Sequence, residues 1–405
     1  MRCPRVLVLT TYYAPIHGGV ETHARLIARW LRARGHETLV LTTRVGADRP
    51  APRTVDGVPV HRTRPAGDRR QWAKWLALPF IFSALIRLRE RYDVVYCPDP
   101  RGVGVAAVIA RHLFAKRLVF QAATPGALSC THWDGALARV AIDPAGRLGR
   151  AVKITGCRIY GAADAYVCIS REILNEGRAA GIAERRMLYQ PHGVHLDRYR
   201  PAASYEVRRI RTELGLPQER IVCLFLGRLS REKGILDLIE AWRRLDDASA
   251  VLALAGPEMP GHHLDIGREV RAFVTRHGLS DRVRFLGATD NPARIMRAAD
   301  VFVHPSYYEA FAIAVAEAMA CGLAPVVSPV AGIADHLDDG ENALLCEPGQ
   351  PGRLAATLRR LIADTALRNA LRKAARATAE RHFDSGRMAT RIASLLTDVV
   401  DSHGR

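Results

Sequence analysis

Two loops in the second half of the chain carry side chains suited to a departing anion. The first, Gly227-Arg228-Leu-Ser-Arg-Glu-Lys233-Gly234, follows an apolar run and opens a helical pattern. Arg228, a planar fork, and Lys233, a point charge, can converge on a diphosphate, although a solvated basic turn is the commoner use of such charges. The second loop runs from Pro305 to Gly322 and places Glu309 at a strand-to-helix turn and Glu317 eight positions later. A carboxylate on an otherwise small and apolar helix needs a partner or a ligand. A ribose diol and a buried structural salt bridge both satisfy Glu317. Backbone N–H groups near Phe311 and Ala312, expected at the start of that helix, can hold a phosphate with the help of the helix dipole.

Two further loops are weaker. His17-Gly18-Gly19-Val20-Glu21 brings two glycines to a helix N-terminus, where the backbone can approach an anion or make a tight turn. Pro329-Val-Ala-Gly332 could line the same pocket as Glu309, or be an ordinary turn.

All four lie where an open α/β sheet collects ligands, at the carboxyl ends of strands. In the first half, strands are expected at Arg5–Thr10, Glu37–Thr43, Val58–Arg62, Asp93–Cys97, Leu118–Gln121 and Ala165–Ile169. A helix is expected from Gly19 to Gly35, with Val20, Ala24, Ile27 and Leu31 on its apolar face. The second half repeats this grammar at Ile221–Leu226, Ala250–Ala255, Val283–Leu286, Val301–His304 and Ala324–Ser328. Its helices begin near Gly234, Gly267, Pro292 and Ala310. Strands alternating with helices imply parallel sheets, here two doubly wound α/β domains in succession. The segment His192–Ala203 is the linker candidate, giving domains 1–195 and 196–384. A last helix near Ser385–Ser402 would return to the first domain.

A chain of 405 residues suits two domains and a cleft between them. With 48% hydrophobic and 25% charged residues, the composition is that of a soluble globular protein. The longest apolar stretch, Trp75–Ile86, is broken by Pro79 and is shorter than the roughly 20 residues that span a bilayer. No signal peptide is recognisable, so a cytoplasmic location is expected, with the inner membrane face a possible station. The eight cysteines show no metal or redox spacing and read as reduced, mostly buried thiols. A formal charge of +18 favours anionic partners, but no basic cluster is joined to stacking aromatics, which argues against nucleic acid. The segment 69–91 mixes Arg and Trp with an apolar face and fits either an anionic membrane surface or a core helix with a basic edge.

The order of these features resembles glycosyltransferase family 4: the early glycine pair, Gly227-Arg-Leu with Lys233-Gly234, Leu254-Ala-Gly256, Phe285-Leu-Gly287, and two glutamates flanking an alanine-rich helix before Pro325. The resemblance runs through nearly the whole chain. It implies the GT-B fold, with acceptor on the first Rossmann-like domain and nucleotide sugar on the second. It implies a retaining, metal-independent transferase of a hexosyl group from a UDP- or GDP-linked donor to a hydroxyl of a sugar, lipid-linked or small-molecule acceptor, with no further cofactor. Carried onto this chain, the catalytic set is Arg228, Lys233 and Glu309. Gly227, Arg228, Lys233, Glu309, Ala310, Phe311, Ala312 and Glu317 form the donor site, and Gly18 and Gly19 the phosphate loop. The absence of an Asp-X-Asp pair fits metal independence.

The chain departs from the family pattern in three places. Ala310-Phe311-Ala312 stands where Gly-Phe-Gly is usual, and the stretch around Gln121 lacks the family's cleft histidine; His132, eleven positions beyond Gln121, is either a substitute or a loop histidine without a role. Pro191-His-Gly-Val-His195 replaces Pro-Asn-Gly-Val-Asp. A sugar-nucleotide epimerase or hydrolase of the same architecture, or a non-catalytic nucleotide-sugar-binding homologue, are the competing readings.

Overall fold

The computed structural model describes residues 3–16, 18–44, 53–66, 76–131, 134, 137–138, 142–258 and 264–402. His17, the segment 69–75 and His132 lie outside the described residues. The chain divides into two compact units, Met1–Gly193 with Ser385–Arg405, and Val194–Asp384.

In the first unit the strands are β1 (Val6–Leu9), β2 (Thr38–Arg44), β3 (Thr54–Val55), β4 (Val58–Ala66), β5 (Val94–Cys97), β6 (Arg117–Ala122), β7 (Ala165–Cys168) and β8 (Met187–Tyr189). Among the described residues they form one sheet in the order β3-β4-β2-β1-β5-β6-β7-β8, parallel except for the short β3–β4 pair. The central strands are buried on both faces, as continuous runs such as Val-Leu-Val-Leu require in a sheet covered by helices. The helix Gly19–Ala33 buries Ala24, Ile27 and Leu31 together with His23, while Val20 is only half-buried. The chain returns to this unit in the helix Ser385–Asp401, whose Met388, Ile392, Leu396 and Val399 enter the core beside Val6, Val8 and Ile27.

The second unit holds β9 (Ile221–Leu226), β10 (Ala250–Ala255), β11 (Val283–Gly287), β12 (Val301–His304), β13 (Ala324–Val327) and β14 (Leu344–Leu345), all parallel, in the order β11-β10-β9-β12-β13-β14. Its core is built on Trp242, Leu238 and Ile239 from the helix Ile235–Leu245, packed on the sheet with Leu358 and Leu361. In both sheets the winding direction reverses once, between β1 and β5 and between β9 and β12. Such reversals splay the following loops apart and open a crevice for ligand.

The helix expected from near Ala310 begins at Ile313 and runs to Ala320. Ala312 caps it in the left-handed region, at φ +61°, so Phe311 and Ala312 belong to the turn before the helix and not to its first turn.

Candidate active site

Three neighbouring strands of the second sheet end in glycine: Gly227 after β9, Gly256 after β10 and Gly287 closing β11. The Gly227 amide donates to Ala255 O at 2.9 Å, and that of Gly256 to Gly287 O at 2.8 Å. A Cβ on Gly256 would fall 1.8 Å from the Gly227 carbonyl oxygen, so only glycine allows these ends to pack. From this base the loop Gly227–Gly234 crosses the sheet reversal and is stitched to the loop after β12. The Tyr307 amide and the Ser306 hydroxyl both donate to Glu232 O, at 2.9 and 3.0 Å. Gly234 closes the seam at φ +65°, where a Cβ would sit 1.9 Å from Pro305 O.

The seam brings Lys233 and Glu309 together, 76 residues apart in sequence. The lysine ammonium is ion-paired with Glu309 Oε1, and both side chains are largely buried. The same oxygen lies 2.9 Å from His304 Nε2, at the end of β12. Burial pushes the Glu309 carboxyl up, but the His304 hydrogen bond and the Lys233 charge outweigh it and hold the group at about 2. Glu309 is therefore a fixed anion. Among the described residues no hydrogen bond reaches its Oε2, which leaves one oxygen for a ligand.

Glu317 takes the opposite course. Burial pushes its carboxyl up to about 7, although a hydrogen bond from Tyr199 and the charge of Arg198 pull the other way. It is not salt-bridged among the described residues, and its side-chain hydrogen bond is with Tyr199. Arg228 does not join the Lys233–Glu309 contact. Its side chain is 50% exposed and lies 3.4 Å from Glu232 Oε1, which also accepts from Ser230 Oγ at 2.8 Å. The Pro329–Gly332 loop is tied to the same region by the Gly332 amide, which donates to Ala310 O at 3.4 Å.

In the first unit, Gly18 caps the helix Gly19–Ala33 with extended backbone. A Cβ there would lie 2.2 Å from Glu21 Oε2, so a carboxylate of the helix's own first turn already stands at this N-terminus. At the β1/β5 reversal the structure shows a feature that sequence reasoning missed. Tyr96 donates to Gln121 Oε1 at 2.5 Å, His23 Nε2 lies 2.8 Å from the Tyr96 hydroxyl, and His192 Nδ1 lies 3.1 Å from His23 Nδ1. All four side chains are buried. Burial holds both histidines below the usual range, His192 at about 4, with His192 adding to the effect on His23. Gln121 thus joins a buried hydrogen-bonded chain, and the unusual His192 of the linker belongs to the first unit's interior.

Two residues of the second site were also missed. His304 had a signal, since a polar residue closing the apolar run Val301–His304 must meet something at the carboxyl edge. Tyr199 had none, because nothing in its local pattern points to Glu317.

The family model for Glycosyltransferase Family 4 matches residues 17–198, and that for Glycosyl transferases group 1 matches residues 206–378. The chain is a glycosyltransferase of the family 4 type. An uncharacterized glycosyltransferase of Methanocaldococcus jannaschii is 27% identical to this transferase over 90% of each chain. A D-inositol 3-phosphate glycosyltransferase of Acidothermus cellulolyticus is 28% identical over 94% of this chain and 88% of the relative. Among solved structures, Anabaena HepE in complex with UDP aligns with a TM-score of 0.78 at 24% identity, covering 97% of this glycosyltransferase and all of HepE. Sucrose-phosphate synthase from Thermosynechococcus elongatus aligns at a TM-score of 0.82 and 22% identity, over 98% of this chain and all of that one. The fold of the glycosyltransferase is GT-B.

Proposed function

We propose that this glycosyltransferase moves a hexosyl group from a nucleotide diphosphate sugar to an acceptor hydroxyl, with retention of configuration, and that the donor binds at the β9/β12 reversal of the second unit. The observation that carries the reading is the Lys233–Glu309–His304 cluster. It holds an ammonium and an orienting carboxylate side by side, next to the helix that bears Glu317. The position of Lys233 suits a diphosphate oxygen, and Arg228, half-exposed on the same loop beside Glu232, supplies a second cation for it. Glu309 Oε2 then accepts a hydroxyl of the transferred sugar, and Glu317 accepts from the ribose diol. HepE, which shares the fold, was solved with UDP and with UDP-glucose, which supports a donor of this class.

In this reading the acceptor oxygen bonds to the anomeric carbon on the face from which the diphosphate departs. The departing phosphate oxygen takes the acceptor proton. Fixed cations stabilise the growing charge on the leaving group, so the protein's own side chains act where other transferases use a metal ion. Turnover is then expected to survive EDTA.

We place the acceptor on the first unit, as the family resemblance implies, and assign the Gly18–Gly19 turn of that unit to phosphate binding. The segment 69–91 remains our candidate for contact with an anionic membrane at the cytoplasmic face. Its described part includes the helix Leu78–Leu88, with Leu76 63% and Phe80 47% exposed, and no helix among the described residues is long and apolar enough to cross a membrane.

The deciding experiment is a thermal-shift series with UDP- and GDP-sugars, since a ligand that binds only the folded state must stabilise it. Product analysis by NMR with candidate acceptors follows. Transfer with a retained anomer supports the proposal; an epimerised donor, free sugar alone, or binding without turnover would replace it with one of the competing readings.

A further inference from the structure

His304 is unusually well restrained. Its ring is stacked near-parallel to both Phe225 and Phe302, each with centroids 5.9 Å away and planes 11° apart. Phe225 comes from β9 and Phe302 from β12, so the two strands that form the sheet reversal fix the imidazole plane together. The ring is almost fully buried. Because a carboxylate oxygen only accepts, Nε2 must carry the hydrogen it gives to Glu309. The other ring nitrogen, Nδ1, is buried and has no hydrogen-bond partner among the described residues. Among the described residues, the ring's one hydrogen bond is thus the one to Glu309.

Glu309 itself sits on a turn, Pro305–Ala312, not within regular structure. A turn carboxylate held by lysine alone would pivot, because an ammonium accepts approach from many directions. A planar donor that is almost fully buried and lies near-parallel to a ring from each strand restricts that freedom. It also keeps Glu309 oriented when a diphosphate competes for Lys233, the moment at which the ion pair is weakest.

We infer that His304 is a positioning residue of the transfer reaction: through Nε2 it aims the Glu309 carboxylate, so that Oε2 meets a hydroxyl of the transferred sugar while Lys233 turns to the diphosphate. Nothing in the family comparison assigns this residue a role, and the inference rests on the donor site proposed above. It predicts that His304 affects the handling of the sugar and not that of the nucleotide.

The test uses the full-length chain and two probe pairs, UDP with UDP-glucose and GDP with GDP-mannose. Calorimetry gives affinities, and release of sugar to water gives kcat and KM. H304F keeps the ring stack and deletes the donor; H304Q places an amide N–H near the position of Nε2; H304N places it too short to reach. With the pair that the wild type binds, H304F and H304N should lose about ten- to a hundred-fold in kcat while the affinity for the free nucleotide stays within about two-fold, the span of one charge-assisted hydrogen bond. H304Q should recover most of the rate, and the acid limb of the H304F profile should move to higher pH as Glu309 loses one of the groups that hold it ionised.

Equal rates in H304F and wild type overturn the inference. So does a parallel loss of free-nucleotide affinity, or H304Q behaving like H304N. If H304F fails to fold, the contrast between H304Q and H304N decides. A wild type that binds none of the four probes overturns the donor-site reading itself, and the inference falls with it.

Discussion

Each sheet reverses its winding once, and the two reversals have been furnished in opposite ways. At β9/β12 the chain assembles charge, with Lys233, Glu309 and the donor His304 at one seam. At β1/β5 it assembles a buried chain of histidines, tyrosine and glutamine. The same topology therefore does not dictate the same electrostatics. In the proposed function the formal charge is concentrated where the diphosphate leaves, because an ion pair with little water around it both costs desolvation and acts strongly on a ligand that completes it. The uncharged chain costs less to bury, which suits the interior of the first unit.

The sharpest way to break this contrast is to remove the charge. Lys233→Ala should lower kcat/KM by about a thousand-fold, in the range seen when a group stabilising a developing anion is deleted. It should also raise the pKa of Glu309, visible as an acid limb displaced toward neutrality. Near-wild-type turnover would mean that the charged seam is architecture only.

Next in size is Glu317. A carboxylate accepts from both ribose hydroxyls only when ionised, and its carboxyl stands at about 7. Nucleotide affinity measured by calorimetry should accordingly rise with pH through 7, and Glu317→Gln should flatten that rise and cost about ten- to a hundred-fold at pH 8. Stability carries the opposite sign. From the ordinary value of 4.5 up to about 7 the folded state keeps a proton that the unfolded state has lost, so wild-type stability declines over that interval and the Gln variant should not.

Tyr96→Phe probes the other reversal. It leaves His23 Nε2 and Gln121 Oε1 without their shared hydroxyl, and should destabilise the protein by about 1–3 kcal/mol in chemical denaturation. Turnover should fall less than stability does; a catalytic collapse with stability intact would erase the distinction drawn between the two reversals.

The smallest effect is expected at Ala312, held at φ +61°. Ala312→Gly relieves a left-handed alanine but adds chain entropy to the unfolded state, for a net gain of about 0.5–1 kcal/mol. A loss of stability on that substitution would show that the turn is not strained.

Much of this arrangement was legible in the sequence. Continuous apolar runs place β9, β10 and β12 to the residue, because parallel strands buried on both faces leave no other reading. Glu309, Glu317 and Lys233 stand out as charges where apolar elements end or continue. Their partners do not. The meeting of Lys233 with Glu309 depends on β9 lying beside β12, and strand order is not written in periodicity. The two- and three-residue strands β3, β8 and β14 are too short to show a period at all. The helix begins at Ile313 and not near Ala310 because Ala312, although alanine is a helix former, occupies the left-handed position that the preceding turn needs. Tyr199 and His192 act across distances that no local signal spans.

The backbone leaves the first unit after Gly193 and comes back at Ser385, and these two residues touch: a Cβ on Gly193 would lie 2.6 Å from the Ser385 Cα. On the other side of the junction, the Val194 amide donates to Phe383 O at 2.6 Å. The second unit is thus an insertion whose entry and exit are neighbours. A short bridge could rejoin 193 to 385, and the stretch 194–384 could be grafted as a cassette into another host, which would let either half be exchanged without redesigning the other.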